Sequence, residues 1–341
     1  VTAVVVVAAV LVLAGTGHGG RVALPLGASR PTRPAEDQST TLPRFGRGEA
    51  VEYDDVGDPY VLSVPGGIPG DRSERYVLFW TTDWRSNVPT AVSPDHVHWT
   101  RVADSLPVLP SWAVPSRTMT WGPSAQKVPG GWALYFSTLD AANRLECIGA
   151  AFSRSPIGPY LDRSSRPLIC QAHLGGDIDP SVVRVGPHGS ALVWKSNGNA
   201  AHRPVGIWSQ RLSSSGLTVT GSARRLIGAD EPWEHGIVEG PALLAATHGG
   251  WWLFYSGGSW RSTSYATGVA WCATVTGPCR TSAHPVLVGQ SAAVSPGGLD
   301  TFRDGHGRLW ASYSVFPSRP ANAEQALAED RVLEIAPVLS H

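Results

Sequence analysis

Five short segments of the chain carry an uninterrupted or alternating apolar and aromatic run that ends in small hydroxylated or polar residues. They are YVLFWTT (76–82), WALYFST (132–138), ALVWKS (191–196), WWLFYSG (251–257) and LWASYS (309–314). Each is too short for a helix, is rich in aromatic and branched side chains, and is bounded by Gly or polar turns, so each reads as a buried β-strand. A proline precedes every run, at the head of another short strand: Pro59, Pro123, Pro180, Pro241 and Pro296. Between proline and run, glycines mark a hairpin, as at Gly130-Gly131, Gly189, Gly249-Gly250 and Gly305/Gly307. A third strand follows each run, at 89–93, 148–153, 205–212, 268–271 and 331–335.

Five such units, spaced about sixty residues apart and without a helical pattern, predict an all-β fold, a five-bladed β-propeller. A β-sandwich is the structural alternative, but it leaves the fivefold Pro-strand-Gly-strand repetition unexplained. In a propeller the first strand of each blade lines the central channel. The residues before each proline therefore gather round one axis: Gly57-Asp58, Trp121-Gly122, Ile178-Asp179, Glu239-Gly240 and Val294-Ser295. Three of the five units place a carboxylate there: Asp58, Asp179 and Glu239.

Outside the repeat, residues 3–14 (AVVVVAAVLVLA) are wholly apolar. The run is shorter than the about 20 residues of a membrane-spanning helix and fits the core of an export signal. An N-terminal membrane tether is the alternative. The segment from residue 19 is rich in Pro, Ser, Thr and Gly and reads as a disordered linker. The expected organisation is a signal or anchor segment at 1–18, a linker at 19–49 and the five-bladed propeller at 50–341.

Composition narrows the function. Twenty-seven basic and 27 acidic residues cancel, and no basic stretch stands out, which argues against a nucleic-acid partner. Thirty-eight Gly and 28 Pro suit many turns and disfavour long helices. The 14 Trp exceed what packing demands, and flat indoles suit sugar rings. The four cysteines lack zinc-site spacing, and export would oxidise them, so local pairs Cys147–Cys170 and Cys272–Cys279 are expected.

Three acids on one axis suit glycosidic cleavage, in which one carboxyl protonates the leaving oxygen and another activates water. A divalent-cation site is the other chemistry they suit, and solvated Asp-Pro turns the bland one. The stretches Gly57-Asp58-Pro59-Tyr60-Val61, Asp177-Ile178-Asp179-Pro180-Ser181-Val182 and Val238-Glu239-Gly240-Pro241 resemble the three acidic motifs of glycoside hydrolase family 43. Trp121-Gly122-Pro123 with GGWALYFS, the segment 148–160 (IGAAFSRSPIGPY) and AVSPDHVHWT (91–100) resemble further elements of that family, in the right order, over roughly residues 50 to 315.

The resemblance implies Asp58 as general base, Glu239 as general acid and Asp179 as the residue that tunes and orients the acid. It also implies inversion, with base and acid carboxyls about 6.5–9.5 Å apart, and α-L-arabinofuranosyl or β-D-xylosyl substrates. Trp84, Trp121 and Trp260 are candidate walls of the sugar pocket, and each reads equally as packing between blades. The family's fifth-blade G-P-G-H is Ser295-Pro296-Gly297-Gly298 here, so no axial histidine carries over and neither metal nor cofactor is expected in catalysis. The expectation is a secreted, monomeric glycosidase acting on oligo- or polysaccharide. A non-catalytic carbohydrate-binding propeller is the alternative from another class. A fructan or sucrose hydrolase ranks lower, because Ile178 and Gly240 stand where that group has Arg and Cys.

Overall fold

In the computed structural model, residues 41–341 are described apart from 53, 74, 84, 116–118, 188, 291–293 and 319–329. The expected signal or anchor segment, most of the linker, and Trp84 lie outside the described residues.

Five antiparallel sheets follow one another along the chain and form a five-bladed β-propeller. Blade 1 holds Tyr60–Ser63, Tyr76–Phe79, Thr90–Ser93 and Thr100–Arg101; blade 2 holds Thr120–Val128, Gly131–Leu139 and Glu146–Ser153. Asp177–Val185, Gly189–Ser196, Gly206–Leu212 and Val219–Gly228 make blade 3, and Val238–Ala245, Trp251–Gly257, Ala266–Cys272 and Cys279–Thr281 make blade 4. Blade 5 runs from Val294–Arg303 through Leu309–Phe316 to Val332–Ser340. Its outer edge is completed from the other end of the chain, by Arg44–Phe45 and Glu49–Glu52, which both pair with Val332–Ser340. Residues 44, 45 and 49 are thus strand, where the sequence suggested linker. Arg44 and Glu49 suit an outermost strand while Phe45 packs against Phe254, and Gly46 and Gly48 lie between the two short strands where Pro337, Tyr313 and Glu334 leave no room for a side chain. Among the described residues the helical elements are three short 3-10 turns, at Ala172–Leu174, Gly198–Ala201 and Pro232–Glu234, and none is long and apolar enough to cross a membrane.

The blades explain why their second strands read as continuous apolar runs. Side chains alternate across a strand, and each blade is covered on both faces by its neighbours. In blade 1, Val77 and Phe79 pack with Leu134 and Phe136 of blade 2, while Leu78 and Trp80 pack with Phe302, Leu333 and Ile335 of blade 5. The same alternation splits Ala133 and Tyr135 from Leu134 and Phe136, Leu192 and Trp194 from Ala191 and Val193, and Trp252 and Phe254 from Leu253 and Tyr255. Burying a Leu or Phe in this way contributes about 1.5–3 kcal/mol each. The cysteines pair as expected, Cys147 with Cys170 and Cys272 with Cys279.

The prolines have a shared geometric setting. The residue before each is in the left-handed region: Asp58 (φ 51°), Gly122 (52°), Asp179 (56°), Gly240 (52°) and Ser295 (59°). In blades 2 to 5 the pairing register slips at this point. The slip is a bulge, which re-aims the neighbouring side chain. Non-glycine residues in this conformation are uncommon, Asp being among the more tolerant.

Candidate active site

The left-handed residue ahead of blade 1 and the bulges of blades 3 and 4 bring the three acids to one place. Asp58, Asp179 and Glu239 all line a cavity of about 480 Å³ at one mouth of the axis, within the usual range for a small-molecule site. Asp58 and Asp179 occupy equivalent positions; Glu239 stands one residue earlier in its blade, with Gly240 in the left-handed place. Trp121 and Trp260 line the same cavity. The ring of Trp260 has Arg261 at 5.0 Å and Arg331 at 5.2 Å and packs beside Val294 and Phe316. It therefore supports charged groups at the pocket wall as well as lining it.

The hydroxyls that end the second strands join the blades round the axis. Thr81 Oγ1 accepts the Gly122 N–H (3.2 Å), Ser137 Oγ accepts the Asp179 N–H (3.0 Å) and Ser256 Oγ accepts the Gly298 N–H (2.9 Å). Ser314 Oγ donates to the Val56 carbonyl (2.8 Å) and closes the circle onto blade 1. Each of these bonds crosses from one blade to the next, so the acids are fixed by the same contacts that close the ring.

Each acid has a different electrostatic setting. The Thr81 hydroxyl donates to Asp58 Oδ2 at 2.5 Å. Burial raises the Asp58 carboxyl above its ordinary range, the Arg331 guanidinium and Thr81 oppose this, and Glu239 and Asp55 add to it. Arg331 is itself held by Asp55 (3.1 Å), and the absence of a side chain at Gly57 makes room for it, since a Cβ there would fall 2.1 Å from the guanidinium. Asp179 accepts the Gly240 N–H at Oδ2 (3.0 Å). Burial, reinforced by the charges of Asp58 and Glu239, pushes its carboxyl up to about 8 against the pull of Lys195 and that N–H, so it holds a proton at neutral pH.

Glu239 is bracketed: Lys195 Nζ donates to Oε2 (2.9 Å) and the Tyr265 hydroxyl to Oε1 (2.8 Å). The Lys195 side chain is 2% exposed. Burial works against its charge, but Glu239, Asp179 and Glu146 outweigh burial and raise the ammonium above its usual range. Glu146, hydrogen-bonded by Asn197, also lines the cavity; burial raises its carboxyl.

The sequence reading missed Lys195, Tyr265, Arg331 and Thr81. For Lys195 a signal existed. Aligning the five runs on Trp80, Phe136, Trp194, Tyr255 and Tyr313 puts Thr81, Ser137, Ser256 and Ser314 in one column, with Lys195 as the exception. For Tyr265 and Arg331 no sequence pattern pointed inward.

The position of the resembling family's fifth-blade histidine is Gly298 (φ 62°), where a Cβ would lie 3.0 Å from the Asp58 Cα. No imidazole fits there without a backbone shift, so the residues at the axis do not suit a histidine-held ion. Elsewhere among the described residues, Asp140, Cys147 and Cys170 form a group with metal-site proximity, but its two sulfurs are joined in a disulfide.

Three neighbouring carboxyls, one holding a proton and two facing fixed cations, offer the ingredients of acid–base cleavage of a polar bond. The sequence model of the family described as Glycosyl hydrolases family 43 matches residues 67–337. Several solved structures share the fold. A thermostable family-43 glycoside hydrolase is 21% identical with a TM-score of 0.70, covering 84% of this chain and 93% of its own. An endo-1,4-beta-xylanase from Bacteroides thetaiotaomicron VPI-5482 is 20% identical (TM-score 0.67; 86% and 97% covered). An alpha-L-arabinofuranosidase from Lactobacillus brevis is 16% identical (TM-score 0.66; 84% and 91% covered). No curated protein sequence matches the chain.

Proposed function

The chain belongs to glycosyl hydrolases family 43, and from that premise we propose that it is an exported, inverting glycosidase cleaving α-L-arabinofuranosyl or β-D-xylosyl linkages in plant-type polysaccharides. The observation that carries the reading is the convergence of Asp58, Asp179 and Glu239 on one cavity in three unlike electrostatic settings.

Asp58 accepts a proton from water as the water oxygen attacks the anomeric carbon. The glycosidic C–O bond breaks with its electron pair on the leaving oxygen, and Glu239 supplies that oxygen with a proton. Asp179, uncharged near neutral pH, spares the pocket a third adjacent negative charge and fixes the Gly240 backbone beside the acid. Trp121 and Trp260 form apolar walls for the ring, and Trp260 also carries Arg331. The two disulfides and the apolar run at 3–14 support export.

The deciding experiment combines Asp58→Asn and Glu239→Gln with product analysis. Each variant is expected to lose hydrolysis while melting normally, and near-normal turnover by either would overturn the assignment. Nitrophenyl arabinofuranoside, nitrophenyl xyloside and debranched arabinan identify the sugar and the mode of attack, and the anomer released first, read by NMR, tests inversion.

A further inference from the structure

Lys195 stands in a column that the other blades fill with a hydroxyl. Register makes the equivalence firm: Trp121 pairs with Ser137, Ile178 with Lys195 and Glu239 with Ser256. Thr81, Ser137 and Ser256 each accept a backbone N–H from the inner strand of the following blade. At the junction of blades 3 and 4 that column position holds Lys195 in place of a hydroxyl, and the Gly240 N–H is taken by Asp179 Oδ2. Lys195 reaches past it to the Glu239 carboxylate. One departure from the repeat thus joins Lys195, Glu239, Gly240 and Asp179.

Stability does not account for this arrangement. A buried ion pair gains little over a neutral alternative, because both charges must leave water, and a serine would serve the junction as it does elsewhere. An ammonium fixed 2.9 Å from a carboxyl group attracts negative charge that develops there. A general acid becomes ionised as it gives up its proton, so a preset positive charge stabilises the state toward which it moves.

We propose that Lys195 is a positioning residue for the acid half of the reaction, steadying the Glu239 carboxylate as that group passes its proton to the departing oxygen. The inference rests on the reading of Glu239 as the acid. The groups facing Lys195 are Glu239 from blade 4, Asp179 from its own blade and Glu146 from blade 2. Glu239 is also faced by Tyr265, Asp58 and Asp179, and Arg331 lies beside Asp58.

The test is the full chain carrying Lys195→Met, assayed on two glycosides of whichever pentose the enzyme turns over. One has a dinitrophenyl leaving group, which departs without a proton; the other has a sugar leaving group, which needs one. The expected result is a loss in kcat/KM on the order of 100-fold for the sugar leaving group and a much smaller one for dinitrophenyl. The alkaline limb of the pH profile is expected to move to higher pH. Equal losses on both substrates with an unmoved limb would overturn the inference. Should Lys195→Met fail to fold, Lys195→Arg decides: with the charge kept, the alkaline limb stays in place, and an upward displacement refutes the proposal. Glu239→Gln on the same pair separates the two levels. Near-normal turnover of the sugar glycoside by that variant removes the acid assignment and this inference together, whereas its loss alongside an indifferent Lys195→Met removes only the inference.

Discussion

Gly122 of blade 2 stands against Asp179 of blade 3, so closely that a Cβ at position 122 would lie 2.7 Å from the Asp179 Cα. The backbone there is left-handed as well (φ 52°). Gly122→Ala is therefore expected to lower stability by about 1–3 kcal/mol and to reduce kcat by displacing Asp179. Thermal unfolding and steady-state kinetics check both, and an unchanged melting temperature with full activity would contradict the contact.

Thr81 serves two inner strands, donating to Asp58 and accepting from Gly122. Thr81→Val removes a bond to the ionised base and strands a buried N–H, at a cost of about 1–3 kcal/mol. With that support for its charge gone, Asp58 is harder to ionise, so the acidic limb of the kcat/KM profile moves to higher pH. Thr81→Ser keeps the hydroxyl and is expected to leave the limb in place.

Asp300 lines the narrow axial cavity beneath the cluster, where Ser181 donates to it at 2.8 Å. Burial pushes its carboxyl up to about 7. The folded chain therefore binds this proton more tightly than the unfolded chain, in which the group titrates near 3.8. Its contribution to stability is complete below that value and is lost as pH rises through about 7. Asp300→Asn mimics the protonated form and is expected to raise the melting temperature relative to wild type at pH 8, the gap closing toward pH 4. A gap that is constant across the range would dispose of the argument.

The Cys147–Cys170 bridge closes a loop with a sequence separation of 23. Replacing both cysteines by alanine is expected to cost about 2–4 kcal/mol, because the unfolded chain regains that freedom. Chemical denaturation of the double variant beside the oxidised protein measures it.

The inner and second strands were legible in the sequence for a physical cause: both faces of each blade are dry, so Val77 through Trp80 and Leu134 through Phe136 had to be apolar without a break. The left-handed residue before each proline kept the five units in phase. The outer strands escaped notice because they lack that constraint. Val219–Gly228 shows solvent most of its side chains, and Thr100–Arg101 and Cys279–Thr281 are too short for a pattern. At the site, the carboxylates could be read from their repeat position, but their partners could not. Arg331 reaches Asp58 from the far end of blade 5, a proximity that only the closed ring creates.

Blade 5 draws its outer edge from residues 44–52 and the rest from residues 294–340. The earliest strands therefore wait for Val332–Ser340 before they find their partner. Until that partner is present, blade 5 lacks the strand that follows Arg331, the residue beside Asp58. Partial translation products are expected to have no functional pocket, and C-terminal deletions reaching into Val332–Ser340 to be far more damaging than their length suggests.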